Sequence, residues 1–134
     1  MHLSSQIELS GGPTGDSCGA DAIRIALAGS GTLAHLGRVE VTATNCTGGS
    51  LQVGEADITA GTATYTAADG STITTSYTGH QQVPDGAVAS YTTTHTVTGG
   101  TGRLANAAGT WVVSGTVDLS IGLLLGDVSG WLTY

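Results

Sequence analysis

A chain of 134 residues has room for one domain of ordinary size, which excludes an enzyme built from separate cofactor and substrate halves. Charged residues make up 10% of the chain and leave a net charge of −7, with no Lys and only Arg24, Arg38 and Arg103 as strong bases, so the clustered cations that hold nucleic acid or an anionic membrane surface are missing. Hydrophobic residues reach 40%, yet there is no Phe and there are 22 Gly, so a core must come from Val, Ile, Leu, Ala, Tyr and Trp, the residues of β structure.

Abundant apolar residues with few charges oppose disorder, and no apolar run approaches the roughly 20 residues of a spanning helix, so a folded, soluble protein is expected. Met1-His2-Leu3-Ser4-Ser5 lacks the basic and long apolar regions of a signal peptide; a secreted chain would have lost its leader before this point. Residues 1–21 contain Gly11-Gly12-Pro13 and Gly15-Asp16, which read as an N-terminal arm with at most a short strand around Gln6 to Leu9. Cys18 and Cys46 flank the first pair of predicted strands. In a Lys-free, Thr- and Gly-rich chain that reads as exported, a disulfide between them is expected, with two buried free thiols as the alternative. They lack the His ligands of a zinc site and the C-x-x-C spacing of a redox pair.

The body, residues 22–134, reads as a single all-β domain. Strands are predicted at Ala22 to Ala28, Gly37 to Asn45, Leu51 to Thr59, Thr62 to Ala67, Ser71 to His80, Val88 to Thr98, Thr110 to Asp118 and Leu123 to Thr133. Short breaks at Thr47-Gly48-Gly49, Ala60-Gly61, Ala68-Asp69-Gly70 and Asp118 to Gly122 make consecutive strands antiparallel neighbours. Eight strands in that order can close into an antiparallel meander barrel; an open sandwich is the alternative. Alternation places Ile23, Ile25, Leu27, Val39, Val41, Ile73, Val113, Val117, Leu124, Val128 and Leu132 inward. Thr62, Thr64, Thr66, Thr72, Thr74, Thr92, Thr94, Thr96 and Thr98 then face outward. Gly54, Gly79, Gly115, Gly126 and Gly130, inside predicted strands, suit a strongly curved sheet.

Between the sixth and seventh predicted strands, Gly99-Gly100-Thr101-Gly102-Arg103-Leu104-Ala105-Asn106-Ala107-Ala108-Gly109 resembles the G-G-T-G-(basic)-(apolar)-x-x-A-x-G segment of the dirigent and allene oxide cyclase proteins. Upstream, Gly31-Thr32-Leu33-Ala34-His35-Leu36-Gly37-Arg38 and the Val/Thr strand after it resemble a segment of small exported bacterial proteins associated with the same barrel. The resemblance implies an eight-stranded antiparallel barrel with an apolar cavity, cofactor-free chemistry and a tendency to form dimers or trimers. The family's catalytic acid and water-binding residues have no motif-matched position in this chain. Read physically, the loop is a glycine-rich turn in which Arg103 to Ala108 forms a single helical turn plugging one barrel mouth. Phosphate binding is disfavoured, since neither a Walker lysine nor a βαβ context accompanies it.

The polar residues in phase with the inward set are Tyr65, Tyr77, Tyr91, His95 and Trp111, the expected ligand-binding wall, with Glu55 and Asp57 added from a strand of uncertain phase. For catalysis, a desolvated Glu55 or Asp57 would serve as general acid or base with His95 as its partner. The competing arrangement leaves Glu55 and Asp57 in water near a rim while His95 and the tyrosines sit hydrogen-bonded in the core; acids are seldom buried unpaired, which favours it. Arg38 and Glu40 share a strand face as a surface ion pair, with Arg24 on the neighbouring strand as its third member, while His35 and His80 lack metal-ligand spacing and no metal site is expected. No G-x-S-x-G elbow or dense oxygen-ligand loop is present, and Asn45-Cys46-Thr47 fits a glycosylation sequon in form only.

The leading expectation is therefore a secreted barrel that binds an apolar small molecule without a cofactor. The alternatives are an isomerase or cyclase acting on a polyunsaturated or polyene substrate by positional control, and a noncatalytic surface or structural protein that uses its threonine faces.

Overall fold

The computed structural model describes residues 2–18, 22–34, 36–48, 54–83 and 88–134. Its strands run in chain order around a closed barrel: β1 (His2–Ser17), β2 (Ala22–Leu33), β3 (Gly37–Gly48), β4 (Gly54–Ala67), β5 (Thr72–Val83), β6 (Val88–Gly100), β7 (Ala108–Asp118) and β8 (Leu123–Thr133), with a 3-10 turn at Gly102–Leu104. Each strand is antiparallel to the one before it. Pairing of β1 with β8, from His2 opposite Trp131 to Ser10 opposite Leu123, closes the sheet on itself.

The segment expected to be an arm supplies β1. Ile7 and Leu9 enter the core while Gln6 and Glu8 face out, the alternation of a half-buried strand. Pro13 does not end it, because pairing with β8 stops at Ser10 and leaves the strand a neighbour on one side only, where a sheet accommodates proline.

The strands expected at Leu51 to Thr59 and Thr62 to Ala67 are one strand, β4; Leu51, Gln52 and Val53 lie outside the described residues. Along it the ladder passes from Thr59 opposite Cys46 to Thr62 opposite Thr44, and from Ile58 opposite Gly79 to Gly61 opposite Tyr77. On both sides β4 therefore carries one residue more than its neighbour. Ala60, with φ at 50°, absorbs the excess in the left-handed region. A one-residue bulge reverses which face each later side chain meets, so Ala56 and Ile58 are buried before it and Ala63 and Tyr65 after it. Gly61 follows directly, and a β-carbon there would run into the Tyr77 ring.

Val39, Val41, Ile73, Val113, Leu124, Val128 and Leu132 are buried as alternation requires, whereas Ile25, Leu27 and Val117 are partly exposed and Ile23 also lies only half-buried. Thr62, Thr92, Thr94, Thr96 and Thr98 are exposed, and Thr64, Thr66, Thr72 and Thr74 half-buried, on the outer wall. One end of the barrel is closed by the loop between β6 and β7. Leu104 inserts into the core, the Thr101 N–H donates to the Thr72 carbonyl at 2.9 Å, and the Arg103 Nε donates to Asp69 at 2.7 Å. The glycine-rich segment thus clamps this connection onto the turn between β4 and β5, with the helical turn confined to Gly102–Leu104 rather than running from Arg103 to Ala108. Toward the other end, Cys18, just past β1, is joined to Cys46 on β3 by a disulfide across a separation of 28 residues.

Two stability outcomes follow from this arrangement. Reducing the disulfide is expected to cost about 3 kcal/mol through the freed unfolded chain, and Gly61→Ala about 2 kcal/mol through overpacking against Tyr77. Urea unfolding near neutral pH measures both; an unchanged midpoint in either case would contradict the corresponding constraint.

Candidate functional site

The barrel is filled unevenly. Leu33, Val39, Ile73, Leu104 and Leu132 pack the closed end, whereas the middle and opposite end contain a cavity of about 290 Å³. Small inward residues leave it open: Ala43 and Ala63 stand on its wall where a longer aliphatic side chain would fill it. Its wall also has two sides. From β1, β2, β7 and β8 come Ile7, Leu9, Leu27, Val113 and Leu124; from β3, β5 and β6 come Asn45, Thr47, Tyr77, Gln81, Tyr91 and His95.

A hydrogen-bonded aromatic layer lies between the filled and hollow parts. The His95 ring stacks on Tyr77 at a centroid distance of 4.5 Å and lies nearly parallel to Trp111 at 6.2 Å. Trp111 Nε1 donates to Tyr65 Oη at 3.4 Å, and that hydroxyl is 3.4 Å from His95 Nδ1, where Thr75 Oγ1 also lies at 3.1 Å. On the other side of the ring, His95 Nε2 is 3.1 Å from Thr93 Oγ1, which donates to the Val113 carbonyl at 3.5 Å. One proton arrangement satisfies the chain: Tyr65 or Thr75 donates to Nδ1, and Nε2–H donates to Thr93. Tyr77 Oη accepts from Asn45 Nδ2 at 2.9 Å and donates to the Thr44 carbonyl at 3.1 Å.

Burial sets the protonation of these groups. It lowers His95 from the ordinary 6.5 to about 4, so the imidazole is neutral at physiological pH. It raises the phenols of Tyr65, Tyr77 and Tyr91 above their usual range, despite opposing hydrogen bonds from Trp111 to Tyr65 and from Asn45 to Tyr77. Among the described residues that line the lumen, none is charged at neutral pH.

Tyr65, Tyr77, Tyr91, His95 and Trp111 are all buried within the barrel, though Trp111 packs behind the cavity wall. Glu55 and Asp57 are not among them. Their side chains are 65% and 80% exposed on the outer wall, flanking His80, whose Nε2 is 3.6 Å from Glu55 and whose Nδ1 is 3.2 Å from Asp57. The Ala60 bulge is the physical reason: counted back from Tyr65 without it, both acids are in phase with the lumen, and the extra residue turns them out. They therefore do not meet His95. Arg38 and Glu40 form a 3.7 Å pair with both side chains in water, of small energetic value.

Sequence reasoning passed over Asn45, Thr47, Thr75, Gln81 and Thr93, which are also buried. The missed signal was phase: each stands an even number of residues from an inward Val41, Ile73, Tyr77 or Tyr91 on its own strand. Among the described residues, no group of three or more His, Cys, Asp or Glu is placed to hold a metal ion. No protein-family model, curated protein or solved structure matches this chain.

The His95 environment gives a signed pH dependence. The unfolded chain takes up a proton near the ordinary 6.5 and the barrel only near 4, so stability is fully present above that window and falls as pH drops through it. The loss is expected to reach about 3 kcal/mol. Urea midpoints of the parent and His95→Gln, compared from neutral pH downward, test it; an equal decline in both would assign the effect to other groups.

Proposed function

We propose that the protein binds an apolar small molecule inside the barrel. The carrying observation is the cavity of about 290 Å³, walled by aliphatic and aromatic side chains with few polar groups. It stands at the lower end of the range for small-molecule sites, about 300–1,000 Å³. An eight-stranded barrel has an interior that side chains can fill completely or that can hold one small ligand. Here the closed end takes the first course and the rest of the lumen the second. The likeness of the Gly99 to Gly109 loop to the dirigent and allene oxide cyclase proteins agrees with this reading, as does the barrel itself.

The outer wall, with its threonine rows, Glu55, Asp57 and Asp127, has the opposite polarity to a lipid-facing wall, which is apolar outside. The disulfide suits an oxidising compartment, in keeping with secretion.

An isomerase or cyclase is the second reading, favoured by the presence of His95 and the Tyr65 and Tyr77 phenols in the lumen. Binding stands ahead of it because both His95 nitrogens already have hydroxyl partners and the carboxylates lie outside. A barrel acting only through its threonine faces has no use for a hollow interior.

Filling the lumen is the direct test. Ala43→Phe and Ala63→Phe, checked for folding by circular dichroism, are expected to weaken binding of a neutral apolar fluorophore by about tenfold or more. Glu55→Gln and Asp57→Asn should leave it unchanged. Equal binding by the Phe variants and the parent would place the probe elsewhere and remove the reading.

A further inference from the structure

Among the described residues, one buried side-chain donor on the polar side of the lumen has no hydrogen-bond acceptor. Gln81 lies on the inward face of β5, between Ala56 of β4 and Tyr91 of β6. It is only 7% exposed and lines the cavity, and its Nε2 is buried without a hydrogen-bond partner. None of the described polar groups of the lumen accepts from it: Asn45 Oδ1 accepts from Thr47 Oγ1 at 2.8 Å, and the Tyr91 hydroxyl is turned toward β8, where it donates to the Leu125 carbonyl at 3.2 Å. Buried amide groups in folded proteins are normally paired, and a Leu or Met here would avoid the penalty of an unpaired one. An acceptor oxygen held in the cavity would pair this donor once the carboxamide turns toward the lumen.

Charge narrows the class of ligand. Arg38 and Arg103 are exposed and ion-paired, and Arg24 alternates with the inward Ile23 and Ile25. No described cation faces the lumen, and His95 is neutral, so an anionic head would be buried without compensation. Opposite Gln81, the lining side chains of β1, β2, β7 and β8 are all hydrocarbon.

Resting on the reading of the cavity as a binding site, we infer that its ligand is an uncharged, largely hydrocarbon molecule with one carbonyl-type acceptor, such as a ketone, ester or lactone. The carbonyl oxygen accepts from the Gln81 carboxamide, and the skeleton lies against the aliphatic wall. Gln81 is then the residue that separates a carbonyl compound from a hydrocarbon of the same shape.

Three probes with one ring skeleton test this: menthone, menthane and menthane carboxylate. Headspace partitioning measures retention of the two volatile compounds by the full chain, and equilibrium dialysis that of the carboxylate. Menthone is expected to bind about tenfold more tightly than menthane, and the carboxylate more weakly than menthone. In Gln81→Leu, and in the unbranched Gln81→Met should Leu fail to fold, the menthone-to-menthane ratio falls to about one. The ligand-free variants should also melt a few degrees higher, since the unpaired donor is gone. Equal retention of menthone and menthane by the parent, tighter binding of the carboxylate, or a preference that survives both substitutions overturns the inference and leaves the cavity reading standing. Retention of none of the probes by the folded parent overturns both.

Discussion

Closure of the sheet constrains everything else in this molecule. With β1 hydrogen-bonded to β8, no strand can slide by one residue without turning its apolar side chains into water and its threonines into the core. The contents of the lumen are therefore decided strand by strand through parity, and the bulges matter more than they would in an open sheet. At Ala60 the parity of β4 changes in mid-strand, which lets one strand put Tyr65 inside at one end and Glu55 and Asp57 outside at the other. The same bulge places Gly61 under the Tyr77 ring, giving that ring room to reach Asn45 and the Thr44 carbonyl.

The aromatic layer converts this geometry into a floor. His95 is held on both faces by Tyr77 and Trp111 and at both nitrogens by hydroxyls, so its ring has little freedom to rotate. A satisfied polar network in a low-dielectric interior is stiff, and it specifies one arrangement of the rings. Below it Leu33, Ile73, Leu104 and Leu132 leave little space; above it alanine takes the place of leucine and the core is hollow. The glycine-rich loop contributes from outside by fixing Leu104 beneath the floor through Thr72, Asp69 and Ser71. Its role in this chain is mechanical, and it needs no bound anion to explain its glycines.

Much of this was legible in the residues themselves. Alternation of Val39 and Val41, of Tyr91 and His95, and of Val113 with Trp111 was enough to place the inner wall, and the short turns between strands were enough for a meander. Two things were hidden. Gly11, Gly12 and Pro13 read as the end of regular structure, because the one-sided pairing that lets a strand carry them depends on where β8 stops, a tertiary fact. The Ala60 bulge was hidden because Ala60-Gly61 reads equally well as a hairpin turn, which divides β4 in two and leaves the phase of Glu55 and Asp57 without an anchor. The total of eight strands survived only because that false division compensated for the missing β1. At the site, the large aromatic residues stood out in the sequence, while Thr75, Thr93, Asn45 and Gln81 were masked by the many polar residues that do face water.

Polar groups in the lumen fall into two kinds, and the division runs along the barrel axis. At the floor the polar groups of the His95 network are hydrogen-bonded to one another, so a ligand there gains contact area and shape but little hydrogen bonding. Farther along, Gln81 is buried and unpaired, the state that a folded chain avoids unless something else completes it. Apolar contact with the wall rewards any hydrocarbon of fitting size roughly in proportion to area, which makes it a poor discriminator. An unpaired donor in a pocket whose described lining is neutral acts differently, because a molecule without an acceptor leaves it unpaired and a molecule with one does not. Under the proposed binding function, affinity and selectivity fall to different parts of one cavity: the aliphatic wall of β1, β2, β7 and β8 would hold the skeleton, and β5 would read its polar group.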